Sequence, residues 1–197
     1  GRLLYQYQRN GMNKITVDTS GSGLGDLRLT TAFQFYQKKN ENPTAATLRA
    51  SLKLPTGNSD HLYGSGSTDL ALWLTASSGH QFESGLWSLF GSAGAMGMND
   101  GKVLQEQQRN LVGYGSIGVG WRPFSWIGFK IQINGHTPFY RDSDLVELSS
   151  SSAQVTMGGS LALSKTISLD IGVSEDIIIK TAPDVVFHIG IQGRFGE

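Results

Sequence analysis

The sequence predicts an all-β protein, an antiparallel up-and-down transmembrane β-barrel of about 10–12 strands that is N-terminally truncated or open. Three observations carry that prediction. Apolar and polar residues alternate with period two along most of the chain, the spacing that puts every second side chain on one face of a strand. The connections between the alternating runs are long and short in turn. Several runs extend ~10 residues, the length a tilted strand needs to cross a bilayer, whereas globular strands peak at about 5 to 6 residues.

The elements follow in order. Arg2 to Gln8 and Asn13 to Asp18 form a hairpin around the two-residue turn Asn10 and Gly11. Next, Leu27, Leu29, Phe33 and Phe35 alternate with Arg28, Thr30 and Gln34, and Leu48, Ala50, Leu52 and Leu54 alternate with Arg49, Ser51 and Lys53. Leu70, Leu72 and Leu74 stand against Asp69, Ala71 and Trp73. Two middle strands, Trp87 to Met96 and Leu111 to Arg122, are diluted by glycine, and their facing stays open. Beyond them Ile127, Phe129, Ile131 and Ile133 alternate with Lys130, Gln132 and Asn134, and Val155, Met157, Leu161 and Leu163 with Gln154, Thr156 and Ser160. The last two runs set Ile167, Leu169, Ile171 and Val173 against Ser168, Asp170 and Ser174, then Val185, Phe187, Ile189, Ile191 and Phe195 against His188, Gln192 and Arg194. Only a short polar stretch near Gln105 to Arg109 departs from strand spacing.

Pro55 to Ser67, Gly97 to Gln108 and Pro138 to Ser152 are long links, and Asp18 to Gly23 and Asp176 to Asp184 are medium ones. Asn40 to Thr44, Arg122 to Trp126 and Ser164 to Thr166 are tight, with Ser77 to Ser84 a shorter link between long neighbours. In a meander every second connection lies on the same rim, so one rim is trimmed and the other elaborated, as in outer-membrane barrels. Trp121, Phe124 and Trp126 flank one tight turn, where an interfacial aromatic girdle would lie, and Tyr63, Phe139 and Tyr140 sit in the long loops opposite.

Composition narrows the function classes. Cysteine is absent, which excludes a disulfide scaffold and a thiolate metal site and suits passage through an oxidising compartment. Lys+Arg 16 balances Asp+Glu 16, so the basic surface needed for nucleic acid is missing. A mean hydropathy of -0.18 is compatible with a membrane barrel, because alternation hides an apolar outer face in a neutral average.

Four segments carry a resemblance: Ser20-Gly-Ser-Gly-Leu-Gly-Asp-Leu-Arg-Leu29, Leu52-Lys-Leu-Pro-Thr-Gly57, Gly64-Ser-Gly-Ser-Thr-Asp-Leu-Ala-Leu-Trp73 and Thr181-Ala-Pro-Asp-Val-Val-Phe-His188. Over nearly its whole length the chain resembles an uncharacterised proteobacterial domain-of-unknown-function family of predicted outer-membrane β-barrels. Through the strand ending in Lys-Leu-Pro-Thr-Gly it is more distantly similar to barrels of the phenol-degradation meta-pathway or transporter-like group. Members of the closer family carry a signal peptide and further strands ahead of the segment matching Arg2 to Tyr7. The resemblance therefore implies a single barrel domain over 1–197 that lacks upstream strands, a count of about eleven here being odd for a bacterial barrel. It supplies no catalytic or binding residues.

Candidate residues come from strand parity alone. Arg28, Arg49, Lys53, Asp69, Lys130, His136, Asp170, His188 and Arg194 fall on the polar parity, together with Asp26, and would line a lumen. They either fill it as mutually paired charges or set the selectivity of a polar conduit. Enzyme readings are thin. A Ser-His pair involving His136 or His188 lacks a nucleophile-elbow pattern, so no catalytic residue is assigned. His61 and His80 are read as loop residues, and with Asp60 they make no ligand cluster, so no metal or cofactor is expected. The carboxylates within Arg141-Asp-Ser-Asp144 read as a solvated loop before a weak Ca²⁺ site. The glycines of Gly21 to Gly25 and Gly113 to Gly120 look like dinucleotide fragments but lack the following helix, and read as relief of crowding.

The expectation is thus a barrel in the outer membrane of a Gram-negative bacterium, contacting membrane lipid and lipopolysaccharide, with a role in passage or binding of a small-molecule solute. Two alternatives stay open: a structural or surface-interaction barrel with a plugged lumen, and a soluble lipocalin-like lipid-binding barrel whose apolar parity faces inward. The direction of Leu48, Leu52, Ile131 and Ile189 against Arg49, Lys53 and Lys130 separates the last from the others.

Overall fold

A computed structural model describes residues 2–9, 11–20, 22–102, 105–141, 149–178 and 185–194. It contains eleven strands in chain order. β1 (Arg2–Arg9) and β2 (Met12–Ser20) pair with each other as a two-stranded antiparallel sheet. The second sheet holds nine strands in strict sequence order: β3 (Leu27–Lys38), β4 (Thr44–Leu54), β5 (Asp69–Phe82), β6 (Gly85–Met98), β7 (Leu111–Phe124), β8 (Ile127–His136), β9 (Ser152–Ala162), β10 (Ile167–Ile178) and β11 (Val185–Gly193). All eight neighbouring pairs are antiparallel, so the sheet is an up-and-down meander with β3 and β11 as its edges. It is open: neither edge is paired with another described strand.

Register turns the sequence alternation into two continuous faces. Leu29 lies opposite Leu52 and Leu52 opposite Leu70. Val119 faces Ile131, Ile131 faces Met157, and Leu169 faces Ile191. One residue along, Arg28 is opposite Lys53 and Lys53 opposite Asp69, while Gln132 is opposite Thr156 and Thr156 opposite Ser174. A slip of one residue anywhere would send apolar side chains to the polar face, so the pattern specifies the pairing. The glycine-diluted strands take their facing from these neighbours. Leu89 of β6 and Ile117 and Val119 of β7 join the apolar face, and Ser92, Ser116 and Arg122 join the polar one.

The apolar face is uncovered. Leu72, Leu89, Ile117, Ile171 and Phe187 are all more than half exposed, and among the described residues the buried hydrophobics are Ala71 and Val112 alone. Both of these stand on the polar parity, Ala71 opposite Ser51 and Val112 opposite Met96. Ser51, Asp69 and Ser174 of that parity are buried too. The buried strand side chains therefore fall on the polar parity, opposite to the layout of a soluble sheet, while β3 at the edge is exposed along its whole length.

The rims differ as the sequence suggests. β3–β4, β7–β8 and β9–β10 are joined by short turns, while residues 55–68, 99–110 and 137–151 are long connections on the other rim. The link between β5 and β6 is shorter than the sequence reading, only Glu83 and Ser84, because β5 continues through His80. His80 is thus a strand residue, opposite Trp87 and 4.5 Å from the Phe82 ring, and not the loop residue expected. At the short-turn rim Trp87 stacks on Trp121 and Trp121 on Phe129, both at 5.7 Å, and Phe124 lies 6.0 Å from Trp126.

Candidate functional site

The polar face and the loops that cover its long-loop end make up the site. Strand pairing first brings Arg28, Lys53 and Asp69 into one row. Residues 22–26 then return across the rim and place Asp26 over that row. Lys53 Nζ lies 2.6 Å from Asp69 Oδ2 and 3.6 Å from Asp26 Oδ2, and donates to Ser65 Oγ at 2.5 Å and Ser67 Oγ at 3.2 Å. Ser67 Oγ donates to Asp69 Oδ1 at 2.7 Å, and the backbone N–H groups of Gly57 and Ser65 each donate to Asp26 at 3.0 Å. All three charged side chains are close to nine-tenths buried.

The balance on Asp26 is readable. Burial alone would raise its carboxyl pKa, but the N–H groups of Ser65 and Gly57, the Lys53 charge and the Ser65 hydroxyl all favour the anion, and together they hold it below the ordinary 3.8.

The three long loops are bonded to one another above this cluster. Thr68 N–H donates to Asn99 Oδ1 at 2.7 Å and Lys102 N–H to the Ser65 carbonyl at 3.0 Å. Gln108 holds the second loop closed, accepting from Gly101 N–H and donating to the Asn99 carbonyl, both at 3.0 Å. Arg141 N–H reaches the Gln107 carbonyl at 2.7 Å and Arg109 N–H the Phe139 carbonyl at 2.9 Å, which ties in the third loop. Beneath the loops a cavity of about 420 Å³ is lined by Arg28, Lys53, Asp69, Met96, Met98 and Tyr140.

Large rings occupy the middle of the polar face. Trp73 and Tyr114, from strands two apart, meet edge-on at 6.3 Å over Gly94, which lies opposite both. A Cβ on Gly94 would sit 2.3 Å from the Trp73 Cβ, and one on Gly118 would sit 2.6 Å from the Phe90 ring. Glycine is required at these places by close approach, as the sequence reading of crowding anticipates.

The remaining candidates spread along the same face. His136 points its Nδ1 to the Thr137 carbonyl at 2.9 Å and packs on Phe139 at 4.8 Å, beside a cavity of about 550 Å³ that Gln132, Gln154 and Asp176 also line. Towards the short-turn rim, Arg122, Lys130, Asp170, His188 and Arg194 line a cavity of about 760 Å³. Asp170 accepts from Ser160 Oγ, and Ser174 Oγ lies 2.8 Å from Thr156 Oγ1 and 2.9 Å from His188 Nε2. A Ser-His contact is therefore present. Ser174 is only 3% exposed, and among the described residues no carboxylate bonds the other His188 nitrogen, so the pair forms part of a hydroxyl network across β9, β10 and β11.

Of the two readings of these mixed charges, mutual pairing holds among the described residues only for Lys53, with Asp26 and Asp69. Arg28, Arg49 and Lys130 reach solvent without an ion pair, because the residues opposite them are Lys53, Ala32 and Trp73, and Gly120 and Gly158, none of them a carboxylate, and Arg194, just past β11, makes no ion pair with a described residue either. Sequence reading missed Arg122, whose facing was hidden by the glycines of β7. It also missed Ser65 and Ser67, although they stand four and two residues before Asp69 and continue its parity. His61 stacks on Tyr63 at 5.9 Å, and the described residues contain no group of three metal-ligating side chains. Asp142 and Asp144 lie outside the described residues.

A family model described as Protein of unknown function (DUF3187) matches residues 1–195, and the chain belongs to that family. No curated protein matches it.

Proposed function

We propose that this member of a family without an assigned activity is an outer-membrane β-barrel protein of a Gram-negative bacterium, whose polar face lines a lumen for passage or binding of small solutes. One observation carries the reading: the apolar face is exposed from β3 to β11 while part-buried hydroxyl pairs, Thr30 with Ser51, Ser92 with Ser116 and Thr156 with Ser174, run across the polar face. In water this layout leaves the hydrophobic effect unused, because soluble monomers rarely expose contiguous apolar patches above a few hundred Å². The accessible surface is 13183 Å², against about 9,100 Å² for a compact soluble protein of this mass. Lipid removes the conflict. A strand of eleven residues such as β4, tilted by about 45°, rises about 26 Å, close to the ~25 Å apolar band of outer-membrane barrels. The aromatic stack at the short-turn rim sits where an interfacial girdle belongs.

The lipocalin-like alternative needs the apolar parity inside, which is the reverse of the observed burial. The plugged-lumen alternative draws support from the rings of Trp73, Tyr114 and Phe90 on the polar face.

Tryptophan fluorescence in vesicles containing brominated lipid tests the orientation. In single-tryptophan variants, Trp87 on the apolar face should be strongly quenched and Trp73 on the polar face should not. Quenching of Trp73 with Trp87 protected, or of neither, overturns the membrane reading.

A further inference from the structure

Cations and carboxylates on the polar face differ in how they are engaged. Each of its carboxylates has a donor: Asp26 and Asp69 share Lys53, Asp170 accepts from Ser160 and Asp176 accepts from Gln154 at 3.1 Å. The cations other than Lys53 have none. Arg28, Arg49, Arg122, Lys130 and Arg194 are exposed, and among the described residues their charged groups make neither ion pair nor hydrogen bond. The excess is localised. At the long-loop end Lys53 faces two carboxylates, whereas the cavity of about 760 Å³ towards the short-turn rim holds Arg122, Lys130 and Arg194 against the single carboxylate of Asp170. A recess with excess charge of one sign and low-dielectric walls focuses its field and raises the local concentration of the opposite ion.

We propose that this half of the polar face is an anion-binding vestibule, in which Arg122, Lys130 and Arg194 gather small organic anions bearing carboxylate or phosphate groups. The proposal rests on the reading of the polar face as a lumen. The cavity volume falls in the range of small-molecule sites, and Gln132, Ser160 and Gln192 add neutral polar groups around the charges. Guanidinium groups suit carboxylate and phosphate because their planar donors match two oxygens at once. Chain topology divides the labour: the long loops and the Lys53 cluster brace one end, and the trimmed rim leaves the three cations accessible at the other.

Binding of the trianionic dye pyranine to the detergent-folded chain, read by fluorescence anisotropy and competed with inorganic phosphate, tests this without requiring an open lumen. The triple variant Arg122→Gln/Lys130→Gln/Arg194→Gln should bind about tenfold more weakly, the summed loss of three solvent-screened contacts. Asp170→Asn should bind more tightly, a gain that a purely structural role would not produce. Wild-type binding should weaken as KCl rises. Equal affinity in wild type and triple variant, or no competition by phosphate, overturns the vestibule. Quenching by brominated lipid reports the membrane reading separately, so either idea can fail while the other stands.

Discussion

Replacing Lys53 by Met should be among the most damaging single changes in the described chain. The substitution keeps the length of the side chain and removes the cation that lies 2.6 Å from Asp69 and 3.6 Å from Asp26. Two carboxylates are left close together with side chains only 8% and 10% exposed. Breaking a buried pair by removing one partner costs about 3–5 kcal/mol, because the remaining charge is unpaired in a poor solvent. Here the N–H groups of Gly57 and Ser65 and the Ser67 hydroxyl still reach those carboxylates, which puts the expected loss at the lower end, about 3 kcal/mol. Arg49→Met, four strand positions away on the same face but without an ion pair, should change stability by no more than about 0.5 kcal/mol. The assay is equilibrium urea unfolding of the detergent-folded chain, followed by tryptophan fluorescence. Lys53→Met/Asp26→Asn/Asp69→Asn should recover most of the loss, since neutral groups of similar shape need no counter-charge. Equal effects of Lys53→Met and Arg49→Met would refute the reasoning. A triple variant as unstable as the single would assign the loss to packing of the lysine stem.

Asp26 gives a pH dependence of known sign. Its folded pKa lies below the unfolded value near 3.8, so its contribution is present above that pH and is lost as pH falls through the folded value. Amide exchange at Gly57 and Ser65, whose N–H groups it accepts, should accelerate only below pH 3.8, and Asp26→Asn should remove that acid step. Glycine spacing supplies a paired test within β6. Gly94→Ala, whose Cβ would lie 2.3 Å from Trp73 Cβ and 2.4 Å from the Leu72 carbonyl, should cost about 1–3 kcal/mol in urea unfolding. Gly97→Ala, whose nearest atom is 3.9 Å away, should cost far less, and similar losses at both positions would contradict the close-approach argument.

The fold was legible where both parities of a strand carry side chains that differ in polarity. Leu48 to Leu54 alternates strictly, and its register against Phe33 and Leu74 follows directly from the apolar parity. Strands β6 and β7 were not legible for the same reason in reverse. Gly91, Gly94, Gly97, Gly113, Gly115, Gly118 and Gly120 have no side chain to declare a face, and six strand residues of β6 are Ala, Ser or Met, which suit either. Only the pairing of Trp73 with Gly94 and of Gly94 with Tyr114 decides which way these strands turn. The cost of the ambiguity was Arg122, a charged residue in plain view whose face could not be assigned.

The site was half legible for a related physical reason. Register puts Arg28, Arg49, Lys53, Asp69, Lys130, His136, Asp170 and His188 on one face, because parity is local to each strand, and Arg194 follows just past the end of β11. Pairing is not local. Whether Lys53 is neutralised depends on Asp26, which arrives from the preceding connection, and on Ser65, thirty-nine positions further along the chain from Asp26. A rule that charges of both signs on one face will pair ignores this geometry. Side chains reach only the directly opposite and diagonal neighbours on a sheet, and for Lys130 those opposite are Gly120 and Gly158. Equal numbers of cations and carboxylates in the chain therefore coexist with a local excess of cations. The balanced net charge of the whole chain, which argues against a nucleic-acid partner, says nothing about the field inside a single recess.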